Sequence, residues 1–369
     1  MRIIKSFDYL KDYNKNKNKI QKAIIKVIES GQLILGDEVK NLEYNFSKFL
    51  NTPGYSIAVN SCTDAIIIAL KALEIGAGDE VITVANTAVP TISAIRMTGA
   101  IPVFCDVDID TALIDLNKVK SLVTQKTKAI LPVHLYGNLV DITNLKKIIN
   151  NPNIFIIEDC AQAHGSLFQS QHAGTFGDIS TFSFYPTKIL GAYGDGGLCF
   201  TKNLKLAKKI KRIRTYGFDG RFYATEEGVN SRMDEIQAAI LNVKIEYLQG
   251  DIERRQVIAK NYDDNLNSNI KRFTSTPRSK QSYYVYCVKV ENRELIRDKL
   301  LHLGIHTGIH YPYPIHLMDA YNFLNYKEGS LPFTEKLCDT VLSLPIYPSL
   351  EDDEVNFICE SLNQIIQNS

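Results

Sequence analysis

Short apolar runs recur along the first 200 residues: Val81–Val84, Ile101–Cys105, Ala129–His134, Ile154–Glu158, Ser180–Tyr185 and Gly197–Thr201. Each is bounded by Gly, Pro or Asp, so each predicts a strand buried on both faces. Residues 18–50 carry helical periodicity, with glycines at 31 and 36. The stretch 60–80, NSCTDAIIIALKALEIGAGDE, reads as a capped helix. Ser61 caps it, Asp64 complements the positive end of its dipole, and Gly76 and Gly78 stop it. Strands alternating with helices predict an α/β sandwich around a mostly parallel sheet.

From Met233 to Leu266 the pattern is helical for one long stretch, which predicts a bridge to a second domain. Residues 283–369 then mix a strand (YYVYCVKV) with helices at RELIRDKLLHLG and DDEVNFICESLNQIIQ. The expected division is a large α/β domain over 1–250 and a smaller α+β domain over 251–369. The basic run Lys202–Arg214 places Leu204, Leu206, Ala207, Ile210 and Ile213 at helical spacing, so it reads as an amphipathic helix with a solvated face.

Composition narrows the class. The 369 residues carry a net charge of +1, against the strongly basic footprint of a general nucleic-acid binder. No apolar run is long enough to span a bilayer, and the first residues lack the apolar core of a signal peptide, so a cytoplasmic protein is expected. Seven cysteines stand at 62, 105, 160, 199, 287, 338 and 359 with no CxxC pair, which predicts free buried thiols. His306 and His310 have the i, i+4 spacing of a zinc helix, but Gly308, Pro312 and Pro314 make the stretch HTGIHYPYPIH a loop, and no metal is expected there. The glycines of GAYGDGG (191–197) precede a strand, whereas a dinucleotide fingerprint follows the first strand and opens a helix.

Two stretches suggest chemistry. In IIEDCAQAHG, Asp159 follows an apolar strand directly, at the carboxyl end where open α/β sheets gather ligands. In FSFYPTKILGAYGDGG (182–197), Lys188 stands in an apolar, tightly turned setting. A buried ammonium without a partner is costly, but a lysine amine forms Schiff bases with carbonyls such as that of pyridoxal phosphate (PLP). PLP also needs a carboxylate for its pyridine nitrogen and amide donors for its phosphate, and a helix N-terminus such as Ser61-Cys62-Thr63 supplies the donors.

With these residues in this order, the sequence resembles the PLP-dependent sugar aminotransferases of the DegT/DnrJ/EryC1/StrS group. The matching stretches are NSCTDAI (60–66), GDEVITVANTAVPTISAI (78–95), PVFCDVD (102–108), LPVHLYG (131–137), EDCAQAHGS (158–166), FSFYPTKILGAYGDGG (182–197) and NSRMDEIQAAIL (230–241). The resemblance implies fold type I, the aspartate-aminotransferase-like fold. It implies that Lys188 carries PLP and moves the proton between cofactor and substrate. Asp159 would pair with the pyridine nitrogen, Gln162 with the ring hydroxyl, and Ala161 would pack beneath the ring. Ser61, Cys62, Thr63 and Ser183 would hold the phosphate. Asn230 would reach the phosphate of the neighbouring subunit in a homodimer with shared sites.

The amino donor implied is L-glutamate, and the acceptor a dTDP-linked keto-sugar. The loop holding His310, Tyr311 and His316 resembles that of enzymes aminating C3 of a 3-keto-6-deoxyhexose, with Arg221 a further substrate contact. Two positions depart from the family pattern: Cys62 stands where glycine is usual, and Ala88 where an aromatic ring often stacks on the cofactor. A sugar dehydratase of the same group would carry histidine in place of Lys188. A regulatory protein of the same fold is the rival from another class.

Overall fold

The computed structural model describes residues 2–368. A seven-stranded sheet is built from β1 (Tyr55–Val59), β2 (Glu80–Val84), β3 (Ile101–Cys105), β4 (Thr127–Ile130), β5 (Phe155–Asp159), β8 (Ile179–Ser183) and β9 (Gly197–Thr201). A small hairpin, β6 (Leu167–Phe168) and β7 (Gln171–His172), lies between β5 and β8 in the chain. The order across the sheet is β1-β9-β8-β5-β4-β2-β3. Only β9 runs against its neighbours, pairing antiparallel with β1 and β8; the other pairings are parallel. β8 and β9 are covered on both faces and buried at every position, and the Ser180 hydroxyl of β8 donates to the Gly174 carbonyl at 2.8 Å.

The four helices before β3 refine the expected pattern. They are α1 (Tyr9–Ser30), α2 (Asp37–Phe49), α3 (Cys62–Ala72) and α4 (Val89–Met97). The first two are separated at Gly31, which takes φ 70° at the end of α1, a conformation that favours glycine. Ser61 caps α3 as expected, its hydroxyl accepting the Asp64 N–H at 3.1 Å. The helix nevertheless ends at Ala72, ahead of Gly76 and Gly78, because Glu74 takes φ 61° and the Ile75 N–H turns back to the Leu70 carbonyl at 2.9 Å. The single helix expected over Met233–Leu266 is two, Glu235–Ile245 and Leu248–Asn265. A tight turn at Tyr247, whose N–H bonds Lys244 O at 3.0 Å, shifts the buried face from Ala238 and Leu241 to Leu248 and Ile252.

Further along, β10 (Lys271–Arg272), β12 (Tyr286–Lys289) and β13 (Val341–Leu344) form a separate antiparallel sheet, while β11 (Ser279–Lys280) joins the β6–β7 hairpin. The separate sheet has its own apolar cluster, which includes Tyr262, Val288, Leu300, Leu342 and Leu362. Ile4 belongs to this cluster and bridges Ile305, so the chain's two ends meet there. Among the described residues no helix is long and apolar enough to cross a membrane. All seven cysteines are free, six of them buried.

Candidate active site

Three strand ends converge on one cavity of about 410 Å³. After β1 the chain turns into α3, after β5 it delivers Asp159 and Gln162, and after β8 it delivers Ser183 and Lys188. Ser61, Cys62, Thr63, Asp159, Ala161, Gln162, Ser183, Lys188, His310 and Tyr311 all line this space. A larger hollow of about 580 Å³ lies beside Lys289 and Lys336, but those cations are already paired, with Asp110 at 3.6 Å and Glu291 at 2.8 Å. The smaller cavity holds the uncommitted groups.

Lys188 sits in the turn that follows β8. Its N–H bonds the Tyr185 carbonyl at 2.8 Å, and the turn closes against Gly191, where a Cβ would fall 2.4 Å from the Pro186 carbonyl oxygen. Among the described residues the Lys188 amine makes no hydrogen bond or ion pair; it lies over the ring of Tyr284, 4.3 Å from its centroid. An amine held this way is available for covalent chemistry.

Asp159 is 3% exposed. Its Oδ1 accepts the Ala161 N–H at 3.0 Å and its Oδ2 accepts the Thr91 hydroxyl at 2.9 Å. Burial pushes this carboxyl above the usual range; the two donors and the charge of Lys188 offset part of that rise. Each oxygen keeps a lone pair for a ligand N–H. Gln162 is oriented by the Tyr136 N–H, which bonds its Oε1 at 2.7 Å. Its Nε2 then donates to the Tyr311 hydroxyl at 2.9 Å and retains a second hydrogen.

The start of α3 offers the anion site. Asp64 N–H is taken by Ser61, whereas the Cys62 and Thr63 N–H groups have no acceptor within the helix. Strand β9 begins directly beneath: a Cβ at Gly197 would lie 2.3 Å from Ser61 C and 2.6 Å from Cys62 N, so only glycine allows the approach. Burial, and then the Asp159 charge, push the Cys62 thiol well up, so it stays neutral and does not oppose an anion. A cavity with an unbonded amine, a buried carboxylate, an amide donor and open helix N–H groups fits PLP.

Three expected contacts lie elsewhere in the chain. His316 is buried outside the cavity, its Nε2 3.0 Å from Glu335 Oε1, a carboxylate that the local sequence does not suggest. Arg221 is exposed, its guanidinium 5.3 Å from the Phe222 ring centroid. Asn230 is also exposed, and its Oδ1 accepts the Arg232 Nε–H at 2.9 Å. Neither lines this cavity.

Two buried histidines are structural. His134, Glu158 and Cys160 are close enough to hold a metal ion, but hydrogen bonds occupy the first two. His134 Nδ1 accepts the Val140 N–H at 3.0 Å, so its Nε2–H donates to Glu158 at 2.9 Å. Glu158 also accepts the N–H groups of Gly174, Phe176 and Gly177. His164 is packed among Phe46, Phe182 and Phe184, with both ring nitrogens unpartnered among the described residues. Burial, helped by Lys188, pushes its pKa down to about 3.

The cavity also holds residues that the sequence did not single out: Thr87, Thr91, Tyr185, Asp195 and Tyr284. The one available signal was the Thr87–Thr91 spacing across Pro90, which brings together a hydroxyl just ahead of α4 and one in its first turn.

Residues 14–363 match the DegT/DnrJ/EryC1/StrS aminotransferase family. The chain is 40% identical over 367 residues to dTDP-3-amino-3,4,6-trideoxy-alpha-D-glucose transaminase of Micromonospora megalomicea, covering 98% of each. It is 38% identical over 365 residues to a protein of Geobacillus stearothermophilus named pleiotropic regulatory protein, again covering 98% of each. Its structure superposes on that of DesV of S. venezuelae, solved in complex with a ketimine intermediate, with a TM-score of 0.96, 34% identity and 99% coverage of both chains.

Proposed function

Because the chain belongs to the DegT/DnrJ/EryC1/StrS aminotransferase family, and is thereby a PLP-dependent sugar aminotransferase, we propose that L-glutamate is its amino donor and a dTDP-linked 3-keto-6-deoxyhexose its acceptor. The amino group goes to C3. The observation that supports the transamination chemistry underlying this reading is the unbonded Lys188 amine sharing one cavity with the buried carboxylate of Asp159. The Micromonospora relative, named for a 3-amino dTDP-sugar, supports the position and the nucleotide.

PLP supplies an aldehyde for covalent capture of amines and a ring that draws off carbanion charge. The chain's own residues do the rest. Lys188 Nζ takes up and returns the proton at the reacting carbon. Asp159 would accept the N–H of the pyridine ring, and its negative charge would favour the protonated ring. Gln162 would donate to the ring hydroxyl through its remaining Nε2 hydrogen. Ala161 would pack against the ring, while Ser61, Ser183 and the Cys62 and Thr63 N–H groups would hold the phosphate. His310 and Tyr311 line the same cavity and would contact the sugar.

The working unit is a homodimer in the cytoplasm, and Asn230 and Arg221 serve the partner's site. Their exposure supports this, as does the unusual exposure of Phe222 at 78% and Tyr223 at 69% on the same loop. Within each subunit the cofactor domain gives way to the smaller one near residue 250, inside the helix Leu248–Asn265, and Ile4 returns to the smaller domain's cluster. A purely regulatory role, the class in which the Geobacillus relative is named, is disfavoured by the complete set Asp159, Gln162 and Lys188.

The test is incubation with L-glutamate and keto-sugar nucleotides that differ in C3 or C4 ketone and in nucleotide, with NMR locating the new amine. Amination at C3 of the dTDP-linked ketone is expected. Amination at C4, or turnover only with another nucleotide, overturns the substrate assignment. The absence of turnover with every ketone, in protein that binds PLP, favours the regulatory role.

A further inference from the structure

Asp159 is gripped by a short chain of hydroxyls. Thr91 Oγ1 is 2.9 Å from Asp159 Oδ2, and Thr87 Oγ1 is 3.1 Å from Thr91 Oγ1. All three side chains border the cavity and are at least 97% buried. An ionised carboxylate only accepts, so the Thr91 proton points to Asp159. A hydroxyl has one proton, so the Thr87–Thr91 contact is filled by the proton of Thr87. The direction of the chain is therefore fixed: Thr87 to Thr91 to Asp159.

The backbone holds this geometry. Pro90 opens α4, and the Thr91 N–H bonds the Ala88 carbonyl at 3.1 Å. The other oxygen of Asp159 is tied to Ala161 N–H. We propose that Thr91, steadied by Thr87, is a positioning residue that sets the tilt of the Asp159 carboxylate and aims its remaining lone pair at the cofactor's ring nitrogen. The ligand in this statement rests on the PLP reading above; the hold of Thr91 on Asp159 does not.

The need for such a donor follows from burial. A carboxylate this dry tends to take up a proton, and a protonated carboxyl is a poorer acceptor for a ring N–H. Thr91 and Ala161 work against that tendency, and the other charged or titratable groups that act on Asp159 are Lys188, His134, the Cys62 and Cys160 thiols and the Tyr311 hydroxyl. A threonine that only filled space would be replaced by valine without consequence for Asp159.

The experiment compares the wild type with Thr91→Ser and Thr91→Val. The Asp159 carboxyl is followed by ¹³C NMR titration in cofactor-free protein, with Asp159→Asn assigning the signal. PLP affinity is measured on the same samples. Thr91→Val is expected to titrate at higher pH than the wild type and to bind PLP about tenfold more weakly, since a hydrogen bond to a charged group is lost. Thr91→Ser is expected to match the wild type. Thr87→Val, which keeps the donor to Asp159, is expected to give a smaller rise and serves if Thr91→Val does not fold. Coincident titrations in wild type and the valine variants overturn the proposal. A raised Asp159 midpoint in protein that never binds PLP upholds the Thr91 contact and places the failure in the cofactor reading.

Discussion

The Lys188 amine lies 4.3 Å from the centroid of the Tyr284 ring. The Tyr284 hydroxyl is in turn 3.1 Å from Thr187 Oγ1, one residue before the lysine. The ring face thus supports the amine whenever it is not covalently engaged. A cation–π contact at a half-buried lysine is worth about 1 kcal/mol. Tyr284→Leu should lower kcat by roughly tenfold, while Tyr284→Phe, which keeps the ring, should stay near the wild type. Steady-state kinetics of the two variants separate the ring from the hydroxyl.

Asp159→Asn removes the charge opposite the pyridine nitrogen but keeps the shape. It should reduce kcat by about 10²-fold or more, the scale of losing one preorganised electrostatic contact. Rapid-quench measurement of a single half-reaction isolates the effect. An unchanged rate would remove Asp159 from the chemistry.

If Asn230 serves the partner's site, damage at Asn230 and at Lys188 is complementary. Lys188→Ala and Asn230→Ala homodimers should each be nearly inactive. After mixing, dissociation and reassociation, hybrids carry one intact site, and about a quarter of wild-type activity should return. Activity assays on the reassociated mixture read this out, with size-exclusion chromatography confirming dimers.

His164 gives a pH signature. Its pKa is pushed down to about 3, against about 6.5 for an exposed histidine. The unfolded chain therefore binds a proton between those values that the folded chain does not. The stability that His164 permits is complete above pH 6.5 and falls as the pH drops, by about 1.4 kcal/mol per unit. His164→Leu, which suits the surrounding phenylalanines, should flatten that fall. Urea melts of both proteins at pH 7 and pH 5 give the difference.

Much of the fold was legible because both-face burial leaves an unmistakable apolar run. β3 and β9 match their expected bounds, and β2, β5 and β8 lie within a residue or two. β1 was missed: YSIAV is as long as its neighbours, but it opens on the exposed Tyr55 at the sheet's edge and carries Ser56, so it does not read as an apolar run. The break at Tyr247 was invisible because both flanking helices keep good helix formers, and only the change of buried face marks it. At the site, Lys188, Asp159 and the start of α3 stood out by residue type and place, Gln162 came from the family resemblance, and the structure brings all four to one cavity. Thr91 and Tyr284 were not, because a threonine and a tyrosine gain meaning only from what stands opposite them. His316 was misassigned because proximity in sequence to His310 and Tyr311 says nothing of the turn that buries it against Glu335.

The decisive measurement is borohydride reduction of the PLP-loaded protein, followed by proteolysis and mass-spectrometric mapping of the pyridoxyl group. The group should be found on Lys188, in the segment between Phe184 and Gly191, and should be lost in Lys188→Ala. A label on any other lysine, or a fully loaded protein that yields none, contradicts the reading.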